Sequence, residues 1–442
     1  MIANTQDTIF ALASGVGKAA IAVFRVSGPE CSAALAALAP SVRFPARQSV
    51  LTTIRHPETL EPIDRALITR FEAPSSFTGE DLAELGVTGG RAVISALAEA
   101  LAVISGLRPA EAGEFAWRAF VNGKIDLSEV EGIADLVDAE TEAQRRQAQR
   151  IAGGALRREG EAIRALLIGA MAAIEARIDF SDVEDAGTLT LGGIKQAARA
   201  TRDRIDRALA SAAAARRLRE GFLVVIAGPP NVGKSTLMNA LAGREVAITS
   251  PFAGTTRDLI EVFLDLRGYP VTLVDTAGIR DSNDPIEREG VARALRRAEH
   301  ADLTLWLNDG DSPPPPLLDG QALVVRTKID RAESGRMASR GSDLAISAKT
   351  GDGIDKLLDA IGNLAEERMA SPEPAVLTLE RHRRAFEEAR ESLSSVLAPE
   401  ASEPELIAED LRRAATAMDR VAGRIDVEDV LGEIFSRLCV GK

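Results

Sequence analysis

The segment Gly228-Pro229-Pro230-Asn231-Val232-Gly233-Lys234-Ser235-Thr236 limits what this chain can fold into more than any other. It follows an apolar run, Phe222-Leu223-Val224-Val225-Ile226-Ala227, that reads as a buried strand, and it precedes Leu237-Met238-Asn239-Ala240-Leu241, which reads as the start of a helix. The spacing is G-x-x-x-x-G-K-[ST]. Between a strand and a helix it makes a cradle of backbone N–H groups for phosphate oxygens, with the helix N-terminus adding positive potential. Lys234 is placed to reach the β- and γ-phosphates of a nucleotide, and Ser235 to offer its hydroxyl to magnesium. An ordinary glycine-rich strand–helix turn is the plain alternative, and the downstream segments weigh against it.

Val271-Thr272-Leu273-Val274 is a second apolar strand ending in Asp275-Thr276-Ala277-Gly278. A strand-end Asp275 can hold magnesium through water, and the Gly278 amide can sense a γ-phosphate. Between the two strands lies Gly254-Thr255-Thr256-Arg257-Asp258, whose Thr256 can close over the metal. A third strand, Leu323-Val324-Val325-Arg326, runs into Thr327-Lys328-Ile329-Asp330. Asp330 is expected to accept two hydrogen bonds from a guanine edge, and Ser347-Ala348-Lys349 to touch the guanine oxygen through its backbone. The order of these elements predicts a guanine-nucleotide domain that prefers GTP to ATP. The base-reading segment departs from the usual Asn-Lys-x-Asp, because Thr327 stands first; weaker support of the phosphate loop is the expected consequence.

With 442 residues the chain has length for about three domains. Aromatic residues are only 4%, so the core must be built largely from Ala, Leu, Val and Ile, which favours helices over sandwiches. A net charge of −13 argues against broad non-specific nucleic-acid binding. The two cysteines, Cys31 and Cys439, make no disulfide framework, and His56, His300 and His382 show no zinc spacing. The N-terminus lacks the basic region of a signal peptide, and no apolar run has membrane-spanning length; both point to a cytoplasmic protein.

Residues 1–120 mix strand-like runs, such as Ala20–Val26 and Ala66–Phe71, with an amphipathic helix over Arg91–Ile104, and read as α+β. Residues 121–215 turn helical, with Ile163, Leu167, Ala170, Ile174 and Ile178 on one face. The acidic run Asp179–Asp185 ends that helix; it reads as a solvated loop before a cation site. Residues 216–372 alternate strands and helices as a doubly wound sheet does. Residues 373–442 are helical again, with an apolar stripe at Ile407, Leu411, Ala414, Met418 and Val421 that must be buried against something. A nucleotide domain inserted between two halves of a helical frame is the expected organisation.

Hydrolysis needs a group to orient water. Where many small GTPases carry Gln after the Asp-x-x-Gly motif, this chain has Ile279, which cannot do so. Asn231 can instead help to ligate a monovalent cation beside the phosphates, with Ser250–Thr255 supplying further oxygens, and such a charge can stand in for an arginine finger. Glu287 either polarises the water or is a plain acid at a helix N-terminus, favoured by the dipole.

Beyond these motifs, Ser76-Phe77-Thr78-Gly79-Glu80-Asp81, Gly113-Glu114-Phe115, Arg118-Ala119-Phe120, Asn122-Gly123-Lys124-Ile125-Asp126-Leu127 and the terminal Phe435-Ser436-Arg437-Leu438-Cys439-Val440-Gly441-Lys442 carry a resemblance over the whole chain. The chain resembles the bacterial tRNA-modification GTPases of the MnmE (TrmE) family. The resemblance implies a multidomain α/β plus all-α protein: an N-terminal α+β folate-binding and dimerisation domain (1–120), a discontinuous helical domain (121–215 and 373–442) and an inserted P-loop G domain (216–372). It implies a homodimer working with an FAD-dependent MnmG (GidA)-like partner in a heterotetramer. The pair would install a carboxymethylaminomethyl or aminomethyl group on C5 of the tRNA wobble uridine, using 5-formyltetrahydrofolate or methylenetetrahydrofolate. It implies GTP hydrolysis stimulated by potassium when the two G domains meet.

By position, the resemblance implies that Asn231, Ser250, Phe252 and Thr255 bind potassium and that Ser235 and Thr256 bind magnesium. Glu287 falls on the catalytic acid, and Cys439 on a near-terminal cysteine with a role in modification. Arg25, Glu84, Lys124 and Lys442 fall on folate contacts. Gly86-Val87-Thr88-Gly89-Gly90 lacks the His that the family carries after the folate-contacting Glu. The competing expectation is a ribosome-assembly or signalling-type GTPase switch that acts only by binding partners. Such a protein would need a basic RNA-binding module, which this acidic chain does not show.

Overall fold

The computed structural model describes residues 7–15, 17–179, 191–229, 231–248, 261–275, 301–309, 322–331, 344–370, 375–425, 434, 435, 438 and 441. The chain divides into two compact units, Met1–Ala134 with Ile151–Ala198 and Ser392–Lys442, and Asp135–Arg150 with Arg199–Glu391.

The first unit carries a six-stranded sheet. Its strands are β1 (Thr8–Leu12), β2 (Ile21–Ser27), β3 (Ser49–Arg55), β4 (Pro62–Phe71), β5 (Leu82–Thr88) and β6 (Leu107–Pro109), in the order β3-β4-β5-β2-β1-β6. Neighbours run antiparallel except β1 and β6, which are parallel. Alternation along the strands sorts the side chains by face. Phe24, Ile54, Ile68 and Leu85 face a core closed by the helices Cys31–Leu38 and Arg91–Ala102. On the other face Ile21, Leu51 and Leu67 are 66%, 55% and 49% exposed. Leu51 and Leu67 are cross-strand partners, and Gly86, opposite Leu67, leaves room for Ile21 to complete an apolar row. In this unit the helices Ala155–Asp179 and Pro404–Val421 pack together. Both expected stripes are buried there, apart from half-buried Ile178. Arg164 Nε adds a 2.7 Å bond to Asp419 across that pair.

The second unit holds β7 (Phe222–Ala227), β8 (Glu261–Leu266), β9 (Tyr269–Asp275), β10 (Leu303–Asn308), β11 (Ala322–Arg326) and β12 (Leu344–Ala345), in the order β12-β11-β10-β7-β9-β8. All pairs are parallel except β8–β9. From β7 the chain builds first to one side of the sheet and then, with β10, to the other. That reversal opens a crevice at the carboxyl ends of the strands. The helices Lys234–Ala242 and Ile354–Met369 bury Leu237, Leu241, Leu357 and Ile361 in this unit's core. Asp302 fixes the entry to β7, accepting from Arg217 Nε at 2.7 Å and from the Leu223 amide at 3.0 Å. Among the described residues no helix is long and apolar enough to cross a membrane.

Candidate functional site

The phosphate loop leaves β7 with the backbone twists its sequence allows. Gly228 has φ +146, and a Cβ there would lie 2.5 Å from the Leu307 carbonyl oxygen, so only glycine fits. Asn231 takes φ +62, a left-handed conformation that Asn tolerates, and Gly233 follows at φ +109. Lys234 opens the helix, and its buried ammonium donates to the carbonyls of Gly228 (2.8 Å) and Pro229 (2.9 Å). Ser235 Oγ donates to Asp275 Oδ2 at 3.1 Å, with Asp275 the buried last residue of β9. The loop lysine, a hydroxyl and a carboxylate therefore meet at the switch of the sheet.

The segment after β11 borders the same loop. Thr327 Oγ1 donates to the Val232 carbonyl at 2.8 Å, so the threonine ties the segment after β11 to the glycine-rich loop through a buried bond. Asp330 accepts from Ser347 Oγ at 2.7 Å. The Ser347 hydroxyl, helped by Arg331 and Lys349, outweighs a small desolvation effect and holds the Asp330 carboxyl below the usual carboxylate range. At neutral pH it is an ionised group that only accepts hydrogen bonds. A cavity of about 160 Å³ is lined by Val232, Gly233, Thr236, Thr327, Asp330 and Lys349, with Lys328 and Ala348 also at its wall. Ser347 holds Asp330 beside this cavity, while Lys234, Ser235 and Asp275 meet at the other side of the loop that carries Asn231, Val232 and Gly233. Ser250, Phe252, Thr255, Thr256, Thr276, Ala277, Gly278, Glu287, His300, Cys439 and Lys442 lie outside the described residues.

A second polar centre lies in the first unit. Arg25 and Glu84 are cross-strand partners on β2 and β5, joined by a 2.9 Å bond from Arg25 Nε to Glu84 Oε1. The Arg25 guanidinium sits 5.6 Å from the Phe77 ring centroid, and Arg25 Nη1 is 3.5 Å from the Gly441 carbonyl oxygen. Lys124 Nζ donates to Pro74 O at 2.8 Å, and Asn122 Nδ2 to Thr78 O at 2.7 Å, so both grip the turn that carries Phe77.

Under that turn runs an ionic network. Arg118 is fully buried and donates to Asp7 Oδ1 (2.7 Å), Glu114 Oε1 (3.0 Å) and Glu80 Oε2 (3.2 Å). Arg108 reaches Asp7 Oδ2 (2.6 Å) and both Glu114 oxygens (2.6 and 2.8 Å). Burial pushes the Asp7 and Glu114 carboxyls up, but the bonds from Arg108 and Arg118, joined at Glu114 by the Glu111 amide, outweigh it and hold both below their ordinary values. The sequence reading quoted Phe77, Glu80, Glu114 and Arg118 as family signatures without a chemical role, and it missed Asp7 and Arg108. Nothing in linear spacing joins residue 7 to residues 108 and 118. Among the remaining titratable groups, Cys31 is buried and its thiol is pushed up to about 12, which leaves it inert. His56 Nδ1 accepts from two local amides, and His382 is buried, in keeping with structural roles.

Two family models match the chain: "GTP-binding protein TrmE N-terminus" over residues 8–124, and "MnmE helical domain" over residues 127–439. The tRNA modification GTPase MnmE of Methylobacterium sp. (strain 4-46) is 52% identical over 444 residues, covering 99% of this chain and 100% of that protein. The tRNA modification GTPase MnmE of Beijerinckia indica is 49% identical over 442 residues, covering 100% and 97%. Among solved structures, the G domain of the T. maritima FeoB iron transporter is 28% identical, with 32% of this chain and 98% of that chain covered and a TM-score of 0.24. With matches that run from one end to the other, this chain belongs to the MnmE (TrmE) family of tRNA modification GTPases.

Proposed function

We propose that the chain is a GTP hydrolase of the cytoplasm whose turnover serves the modification of tRNA. The carrying observation is that one loop and the helix it opens meet Asp275 through Ser235 and meet Thr327 through Val232, beside the cavity that Asp330 lines. When a nucleotide enters, the Lys234 ammonium exchanges its two loop carbonyls for phosphate oxygens. The amides of the loop and of the first helical turn take the remaining phosphate charge. Asp330 accepts from the N–H groups of the guanine edge, donors that adenine does not present in that arrangement. The Ser235 hydroxyl and Asp275 carboxylate form an oxygen set of the kind magnesium takes, with Thr256 as a further ligand. Magnesium held there would supply positive charge to the phosphates.

Glu287 orients the attacking water, the task that Ile279 cannot perform. Asn231, Ser250, Phe252 and Thr255 would hold a potassium ion, which would supply positive charge beside the phosphates.

The second centre takes the reduced folate. Glu84 offers a carboxylate to the amino and N–H edge of a pterin. Arg25 lies over Phe77 beside it, and Lys124 and Lys442 meet the acidic tail. The exposed row Ile21, Leu51 and Leu67 supports the homodimer, because an uncovered apolar sheet face marks a docking surface. An FAD-dependent MnmG (GidA)-like partner, tRNA, the C5 group on the wobble uridine and Cys439 as a participating thiol complete the reading. The division at residues 120, 215 and 372 belongs to it as well. The test is GTP turnover by the purified chain in potassium against sodium, with and without tRNA and the flavoprotein, together with mass analysis of wobble uridines in cells lacking the gene. Faster turnover in potassium and loss of the modified uridine are expected; equal turnover in both salts with unchanged uridines would overturn the reading.

A further inference from the structure

The base pocket has a donor shortage at residue 327. An asparagine amide has two hydrogens to donate, and a threonine hydroxyl has one. Thr327 Oγ1 lies 2.8 Å from the Val232 carbonyl oxygen and 3.5 Å from the Asn308 carbonyl oxygen, and both neighbours can only accept. The side chain is 6% exposed, so water does not supply an alternative partner on that side. Its single hydrogen is therefore committed to the loop. The Thr327 amide is committed as well, to Asn308 O at 2.7 Å. Toward the cavity that it shares with Asp330, Thr327 offers lone pairs only.

Guanine carries its acceptors, N7 and O6, on the edge away from the donors that a carboxylate recognises. Thr327 and Val232 line the same cavity as Asp330, so a base held by Asp330 through its donor edge has its opposite edge to place against that wall, where Thr327 bridges to Val232. We propose that Thr327 leaves guanine N7 without a side-chain donor, so that this chain recognises the base without a contact at N7, through Asp330 and the Ser347–Lys349 backbone, and accepts 7-deazaguanine nucleotides as readily as guanine nucleotides. The inference rests on the guanine reading given under Proposed function. It makes Thr327 a specificity-determining residue: the hydroxyl keeps the loop in place and gives up one base contact.

The test is calorimetric titration of the full chain, with magnesium, using GDP, 7-deaza-GDP and IDP against the wild type, Thr327→Ser and Thr327→Asn. Wild type and Thr327→Ser are expected to bind GDP and 7-deaza-GDP within about twofold of each other, less than one net hydrogen bond is worth. Thr327→Asn, which brings a second hydrogen, is expected to favour GDP by roughly three- to tenfold. A wild-type preference for GDP over 7-deaza-GDP of about tenfold, the worth of a full contact, overturns the proposal, and so does an unchanged ratio in a folded Thr327→Asn. The wild-type ratio decides by itself if that variant does not fold. IDP lacks the 2-amino group. If it binds as tightly as GDP, the guanine reading falls and the proposal with it. If IDP is weaker while the wild type still discriminates at N7, the guanine reading stands and only the proposal is lost.

Discussion

Asp330 and Thr327 stand three residues apart with different tasks. Asp330 is exposed, ionised and aligned by the Ser347 hydroxyl, which leaves its carboxylate ready to accept from a base. Asp330→Asn replaces two charge-assisted bonds by a mismatched amide. GTP affinity is expected to fall by roughly tenfold to a hundredfold in a fluorescence titration, with ATP affinity little changed. Glu287→Ala is expected to retain GTP affinity and to lower turnover by about a hundredfold, the typical contribution of a positioned acid–base group. The phosphate loop and the Thr-Lys-x-Asp segment were legible from the sequence, because both are local patterns whose spacing is set by the loops they build. The exchange of Asn for Thr at residue 327 was legible as a departure. The partner it takes was not: the 2.8 Å bond from Thr327 to the Val232 carbonyl joins residues 95 positions apart.

At the level of elements, the Asp7–Arg108–Glu114–Arg118 network ties the approach to β1, strand β6 and the Glu114–Val121 helix into one assembly. Removing one member leaves charges buried without compensation. Arg118→Ala is expected to destabilise the fold by about 3–5 kcal/mol in denaturant unfolding, far more than loss of a surface pair. The folded-state values of Asp7 and Glu114 lie below their ordinary 3.8 and 4.5, so the ionised forms are the stabilising ones. Their contribution is present in full above those ordinary values and is lost as the pH falls through the depressed ones. The melting temperature should therefore drop on acidification below about pH 4.5, and Glu114→Gln should flatten that acid limb. The helices were readable because Ile163–Ile174 and Ile407–Val421 repeat with helical period. The network was not, because its members are separated by up to 111 residues and only the sheet order, with β1 beside β6, brings them together.

At the scale of the molecule, each unit carries one polar centre: the crevice beside Lys234 and Asp275 on the largely parallel sheet, and the Arg25–Glu84 pair on the largely antiparallel one. The Arg25–Glu84 pair shares its sheet face with the exposed row Ile21, Leu51 and Leu67, which brings the folate and dimer readings onto a single surface. A charge placed in that row should separate protomers without disturbing the core face, whose side chains point the other way. Leu67→Asp is expected to convert a dimer to a folded monomer in sedimentation equilibrium; a dimer that persists would move the interface elsewhere. The composition foresaw little of this surface, because exposed leucines on a strand read like any alternating pattern until the neighbouring strands are known.

Local structure was legible in the sequence alone: the glycine-rich loop between strand and helix, Asp275 at a strand end, the Thr327–Asp330 segment after its strand and the two amphipathic stripes. Each depends on residues a few positions apart, where spacing and backbone geometry leave few choices. Tertiary structure alone decided which distant groups meet: Thr327 with the Val232 carbonyl, Arg25 with Glu84 above Phe77, and Asp7 with Arg118. Those meetings depend on strand order and register, which come from how whole faces pack against one another rather than from any short run of the chain.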